Sequence, residues 1–337
     1  MKYILLLFIF CGLFGYGQRN DFQQINFQKA DSIALLYKGE SLKNLPVLTH
    51  KLTANLATDV EKFRSIYTWV STNIENDYAS YLKTKKYRSK FSKDREAFLE
   101  WNNKYTPIVF KNLVEDKKTA CTGYAYLIRE MASLANIECE IVDGYGRTAT
   151  LSLSNESQPN HSWNAVKLNN TWYLCDATWS AGMVVLENNL PTFKGDYFDG
   201  YFLGDPELFI KNHYPINVKW TLLESTPTFK NFIAGPIVYK EAFNWNVTTL
   251  APKEMHFETL KNNPVTFNLI IPNNASIEHL NLTLNTKATK ENVRIDRNST
   301  GESCSLTYTF ERTGLYDVHL RFNDEIIATY VVKVRRN

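Results

Sequence analysis

The character of the sequence changes near residue 245, and that change restricts the chain to two structural units of different class. Downstream, the residues fall into short apolar-rich segments bounded by turn residues: Val265–Ile271, Leu280–Leu284, Cys304–Phe310 and Tyr316–Phe322. In the last of these, Tyr316, Val318, Leu320 and Phe322 alternate with Asp317, His319 and Arg321. A period of two with one apolar side predicts a strand that buries one face. Asn323-Asp324 then turns the chain into a further strand over Ile326–Val334. Upstream of 245 the pattern is mixed, with helical and strand periods alternating, so the chain as a whole reads as α+β.

Gly314-Leu315-Tyr316 stands at a strand entrance, as in the tyrosine corner of Greek-key sandwiches. Residues 245–337 are therefore expected to form an immunoglobulin-like β-sandwich. His256, His279 and His319 lie in this region without metal-ligand spacing and are expected at the surface.

In the upstream region, Val60, Phe63, Ile66, Tyr67, Val70 and Ile74 recur at steps of three and four, which predicts a helix over 60–78. Lys83, Lys85, Lys86, Arg88, Lys90, Lys93 and Arg95 then stand against Asp94 alone. Such a run is ordinarily a solvated surface; the alternative is a basic lid for an anionic partner. After Cys121 comes a second apolar stripe, Tyr124, Leu127, Ile128, Met131 and Leu134, stopped by Asn136. Strands are expected at Glu138–Val142, and as a hairpin of Ser162–Leu168 with Thr171–Thr178 over an Asn169-Asn170 turn. Residues 186–244 read as an extension of the core and a connector, and 18–59 as a lead-in.

The 337 residues suit about two domains. With 20 Phe, 19 Tyr and 7 Trp the chain can fill two cores. A net charge of +3 gives no ground for binding nucleic acid. Neither CxxC, HExxH, GxGxxG nor a P-loop occurs, so no metal or cofactor is expected.

Lys2, the apolar run Tyr3–Phe14 and Gly15-Tyr16-Gly17 have the layout of a secretory signal, with cleavage expected after Gly17. The run is shorter than the ~20 residues that span a bilayer. Bulky Phe10 before Cys11 disfavours a lipoprotein site. The expectation is an exported protein, periplasmic or extracellular, with no transmembrane segment after cleavage. Loss of the leader leaves Cys121, Cys139, Cys175 and Cys304. An even number of Cys invites disulfide pairing in an exported chain, but Cys139 and Cys175 lie in strand-like stretches and read as small core residues.

Cys121 differs, because it begins a helix whose unpaired N–H groups and dipole favour a thiolate. A symmetric turn at Asn169-Asn170 puts His161 opposite Thr178 and Asp176 opposite Trp163. His161 and Asp176 then share a face as diagonal neighbours at roughly 7 Å or less, within reach of a carboxylate–imidazole hydrogen bond. A Cys at a helix start, a His on a strand and an Asp that orients the His are the parts of an activated thiol nucleophile.

The pieces Ile66-Tyr67-Thr68-Trp69-Val70, Cys121-Thr-Gly-Tyr-Ala125, Gly144-Tyr145-Gly146, His161-Ser-Trp-Asn-Ala-Val166 and Trp172-Tyr-Leu-Cys-Asp-Ala-Thr-Trp179 resemble the transglutaminase-like superfamily, in the branch related to the kyphoscoliosis peptidase and fungal cytokinesis proteins. The resemblance covers about 60–225. It implies a papain- or transglutaminase-like core over 60–185, in which the helix carrying the Cys packs on an antiparallel sheet. It also implies Cys121 as nucleophile, His161 as general base and acid, and Asp176 as the residue that fixes the imidazole. Trp163, Tyr145 and Thr122 become candidates for substrate contact. The reaction implied is attack on a carboxamide or peptide carbonyl to give a thioester, resolved by water or by an amine. The substrate expected is a protein or peptide, with hydrolysis preferred to crosslinking, and the sandwich could engage a cell-surface or cell-wall partner. The alternative is a non-catalytic binding or assembly protein that keeps the fold. Asn160-His161-Ser162 is also a glycosylation sequon, read as a chance match.

Overall fold

The computed structural model describes residues 19–272, 276–285, 287–289, 293–297 and 303–336; the segment read as a leader lies outside them. Helices α1 (Gln28–Leu36) and α2 (Leu45–Thr53) pack on α3 (Asp59–Asn73). A capping box between Thr58 and Glu61 starts α3, and Val60, Phe63, Ile66, Tyr67, Trp69 and Val70 are all buried along it. The helix ends earlier than its periodicity suggests because Ile74 turns extended. Glu75–Asn76 (β1) then pairs in parallel with Lys118–Thr119 (β2).

Between these two short strands runs an arm of two helices, α4 (Tyr78–Lys90) and α5 (Arg95–Asp116). Asp77 and Asp94 cap their starts, and Lys117 ends α5 in the left-handed region. Of α4, only Ser80 is buried. Aromatic contacts hold the arm together instead: Tyr87 stacks on Trp101 at 4.2 Å, and Trp101 on Tyr105 at 5.0 Å. The basic run thus occupies the second half of α4 and the turn into α5, and most of it is exposed.

Helix α6 (Cys121–Leu134) starts at the cysteine and buries Tyr124, Leu127, Ile128 and Met131, while Leu134 is exposed. Gly123 is needed there because a Cβ would lie 1.9 Å from Thr119 Oγ1. The helix lies on an antiparallel sheet of β3 (Cys139–Gly146), β4 (His161–Leu168) and β5 (Thr171–Cys175). A separate hairpin, β6 (Gly182–Glu187) and β7 (Leu190–Gly195), follows; β8 (His213–Pro215) then completes the sheet in the order β5-β4-β3-β8. The Asn169-Asn170 turn has positive φ at both residues, and the β4–β5 register is the symmetric one, from Leu168↔Thr171 to Asn164↔Cys175. Strand β5 ends at Cys175 rather than Thr178, because Asp176 becomes the N-cap of α7 (Ala177–Ala181). Gly144 lets β8 approach: its Cβ would lie 2.2 Å from the Tyr214 carbonyl oxygen.

The two faces of this sheet enter different cores. Cys139, Val166, Leu168 and Cys175 face α6 and join the α3 cluster. Val142, Trp163, Ala165 and Leu174 join Tyr201, Phe209 and Phe243, and this cluster continues into Phe267, Leu306, Leu320 and Tyr330 of the C-terminal region without a break.

That region is an all-β sandwich. One sheet has the order β10 (Thr248–Ala251), β12 (Pro264–Ile270), β16 (Ser303–Thr309), β15 (Val293–Arg297). The other runs β11 (His256–Leu260), β18 (Glu325–Arg335), β17 (Gly314–Phe322), β13 (Leu280–Leu284), β14 (Lys287–Thr289), with β9 (Ile237–Val238) also on β18. Tyr316 Oη donates to the Arg312 carbonyl at 3.0 Å, the bond of a tyrosine corner. His256 and His279 are exposed, and His319 is half-buried against Thr329. Among the described residues no helix is long and apolar enough to cross a membrane.

Candidate active site

Three elements converge where β4 begins: the N-terminus of α6, the first residue of β4, and the cap of α7. Cys121, His161 and Asp176 come from these three places and are all buried. His161 Nε2 lies 2.7 Å from Asp176 Oδ2, and the Cys121 thiol stands beside the same imidazole, near enough for each to shift the other. With Nε2 turned to the carboxylate, Nδ1 is the nitrogen left for sulfur.

Each group shifts the others. Burial pushes the Cys121 thiol up, but the hydrogen bond and charge of His161 and the Ser162 amide outweigh it, leaving the thiol below its usual value. Burial pulls His161 down, and the charge and hydrogen bond of Asp176, then those of Cys121, carry it well above an ordinary imidazole. Asp176 is wholly buried, which disfavours its charge, yet His161 and then His213 hold it far below the carboxylate range. Together these shifts favour a thiolate–imidazolium pair with a carboxylate behind it.

Local packing pins the imidazole. Asn160 accepts from the Gly146 N–H at 2.7 Å and donates to its carbonyl at 3.0 Å, so the carboxamide of the sequon is engaged in fixing the entry to β4. The Trp179 ring stacks on His161 at 5.1 Å. The thiol opens onto a cavity of about 800 Å³. One wall comes from α4 and α5, including Tyr81, Lys85, Arg88, Phe98 and Tyr105; the other comes from β3 and residues 151–160, including Ile141, Asp143 and Glu156. Arg88 Nη1 reaches across this cavity to donate to the Pro159 carbonyl at 2.9 Å.

Of the three residues expected to contact substrate, Thr122 lines the cavity, with its hydroxyl 3.5 Å from Ser162 Oγ. Trp163 and Tyr145 are not among the cavity residues. Alternation along β4 puts Trp163 on the face away from α6, 1% exposed against His213 and Phe209. Tyr145 packs on Phe229 at 4.4 Å, in a satellite cluster. Cys139, Cys175 and Cys304 are free and buried, as is Cys121. Burial raises all three of the former, Cys175 well above the thiol range.

Sequence reasoning gave no role to Tyr81 or His213. Burial, and then the charge of Cys121, raise the Tyr81 hydroxyl beside the cavity. His213, from β8, places Nε2 3.0 Å from the same Asp176 oxygen that binds His161. His161, Asp176 and His213 offer ligand atoms within 4.8 Å of one another, a spacing a metal ion could occupy. Here each of those nitrogens meets the carboxylate as a hydrogen-bond partner.

Residues 46–177 match the model of the transglutaminase-like superfamily. The chain is 32% identical over 244 residues to the kyphoscoliosis peptidase of Homo sapiens, covering 71% of this chain and 33% of that protein. It is 26% identical over 234 residues to Hillarin of Drosophila melanogaster, covering 66% of this chain and 26% of the relative. A solved structure of a titin I27 domain mutant is similar at 15% identity and a TM-score of 0.21, over 27% of this chain and 90% of that one. Residues 46–177 thus belong to a transglutaminase-like domain, and the all-β sandwich described above follows it. Its homologues include proteins named kyphoscoliosis peptidase, and it spans about a third of their length.

Proposed function

We propose that this protein is an exported cysteine enzyme of acyl transfer that hydrolyses peptide or amide bonds in protein or peptide substrates. The observation that carries the reading is a single imidazole, hydrogen-bonded to a buried carboxylate, beside a thiol that opens onto a cavity. In this mechanism Cys121 attacks the carbonyl as thiolate and His161 passes its proton to the leaving amine. A water then gives its proton to His161 and attacks the thioester carbonyl, so that the C–S bond breaks, the acid leaves and the Cys121 thiolate is restored. Asp176 keeps the imidazolium oriented throughout. The Cys121 N–H, at the start of α6, is the donor we assign to the developing oxyanion. Water is always present as acceptor, which favours hydrolysis over crosslinking.

The test is turnover of a mixed peptide library by the purified chain, with mass-spectrometric detection of cleaved or crosslinked products. Cleavage that disappears in Cys121→Ala supports the reading. Amine incorporation without cleavage would replace hydrolase by crosslinker, and activity that survives in Cys121→Ala would end the thiol mechanism.

A further inference from the structure

We propose that His213 is a positioning residue, a second imidazole on the carboxylate that holds Asp176 Oδ2 against His161. The inference rests on the proposed roles of Cys121, His161 and Asp176 and adds a fourth member to their network.

The carboxylate is fixed at both oxygens. Asp176 Oδ1 accepts from the Thr178 N–H at 2.8 Å and from the Trp179 N–H at 3.2 Å, the capping bonds of α7. Oδ2 has His161 Nε2 at 2.7 Å and His213 Nε2 at 3.0 Å. The bonds at Oδ1 stop the group from sliding along the chain, but they leave its outer oxygen free to swing. A second donor on Oδ2, from a different strand, removes that freedom.

His213 is itself held rigidly. It is 1% exposed, its Nδ1 lies 2.6 Å from Asn212 Oδ1, and its ring stacks on Phe209 at 4.1 Å with Trp179 at 4.4 Å on another side. Burial keeps the ring from taking a second proton, so a ring that donates through Nε2 must accept at Nδ1. The Asn212 carboxamide meets this when its amide nitrogen faces the ring and its oxygen faces the Tyr201 hydroxyl, and the ring then serves as a neutral donor that adds no competing cation. Apart from Cys121, whose thiolate lies beyond His161, the other titratable groups coupled to Asp176, namely Tyr67, Tyr124, Tyr201 and Cys175, are kept neutral by burial. A wholly buried carboxylate needs its lone pairs satisfied to remain charged. Without His213 the carboxylate would hold its charge less firmly, and the imidazolium beside Cys121 would lose part of its support.

The readout is the rate of Cys121 alkylation by iodoacetamide across pH, which requires no substrate. A wild-type protein that turns over nothing would therefore sink the proposed activity and leave this inference standing. His213→Phe is expected to slow alkylation about tenfold on the acid side and to move the acid limb upward by about one pH unit. His213→Gln, which can still donate to Oδ2, is expected to recover most of that loss. A folded His213→Phe protein with the wild-type pH profile would overturn the proposal. Should His213→Phe not fold, nitrogen NMR of the wild-type protein decides: a neutral ring protonated at Nε2 supports the role, and an unprotonated Nε2 refutes it.

Discussion

The cysteines of the four-stranded sheet and the one at the start of α6 are the same kind of residue brought to opposite ends. On the face under α6, Cys139 and Cys175 are buried among Val166, Leu168 and Tyr124, and burial raises both thiols. At the end of the sheet, Cys121 is buried to a similar degree, yet its thiol falls below the usual value because His161 and the Ser162 amide stand beside it. The difference shows that reactivity here follows from a polar neighbour in the right place. Burial alone pushes a thiol toward inertness. The opposite face supplies that neighbour's support. His161, Asp176 and His213 lie there among Trp163, Trp179 and Phe209, so the polar network is enclosed by aromatic rings.

The sharpest way to break this contrast is to remove the charge behind His161. Asp176→Asn keeps the shape of the side chain but cannot stabilise an imidazolium, and turnover should fall by ~10²-fold or more. The variant should still fold, as circular dichroism would show. Near-wild-type turnover in a folded protein would take Asp176 out of the mechanism. Stability should also respond to pH, with a definite sign. Asp176 is depressed, so its contribution is present above the ordinary carboxylate value and is lost as pH falls through the depressed one. His161 is raised to about 10, so its contribution is complete below the ordinary imidazole value and is lost as pH rises toward 10.

A smaller effect separates the thiols themselves. Cys121 should react with iodoacetamide below the usual thiol range of about 8.5, while Cys139 and Cys175 stay unmodified until the protein unfolds. Peptide mapping after brief labelling at neutral pH checks this, and equal labelling of all three would erase the contrast. The smallest effect belongs to the basic arm. Lys85→Ala with Arg88→Ala should raise KM for an acidic peptide by a few-fold at low salt and leave kcat unchanged, since Lys85 is exposed, Arg88 half-buried, and both are screened by salt. A KM that ignores ionic strength would assign the run to the solvated surface.

How much of this was legible depended on whether the determining contacts were local. The Asn169-Asn170 turn sets the β4–β5 register through its own φ angles, so the shared face of His161 and Asp176 follows from the sequence. The thiol at the start of α6 is equally local, because the stripe from Tyr124 to Met131 marks the helix. The arm was not legible. Helix α4 buries little, and α5 contains Pro107, so neither shows a clean apolar period. Their order comes from stacked rings such as Tyr87 and Trp101, which are distant in sequence. Trp163 shares the face of His161, two residues further along β4, but lies deeper in the sheet, where Phe209 and His213 cover it, a covering that the sequence does not announce. His213 reaches Asp176 only because β8 docks beside β3 across the bare Gly144, a contact that no spacing announces.

The short parallel pairing of β1 with β2 has a consequence for how this architecture can diversify. Glu75↔Lys118 and Asn76↔Thr119 clasp the base of the arm, and Asp77 N–H is tied to the Thr119 carbonyl at 2.9 Å, two residues from the nucleophile. Everything between departs from and returns to one point, so lengthening or shortening it costs only the slow logarithmic change in closure entropy. The thiol's address is thus insulated from the arm's contents. Exchanging the paired helices for others would redraw one wall of the cavity while leaving Cys121 in register, which makes the arm the natural place for related chains to differ in what they admit.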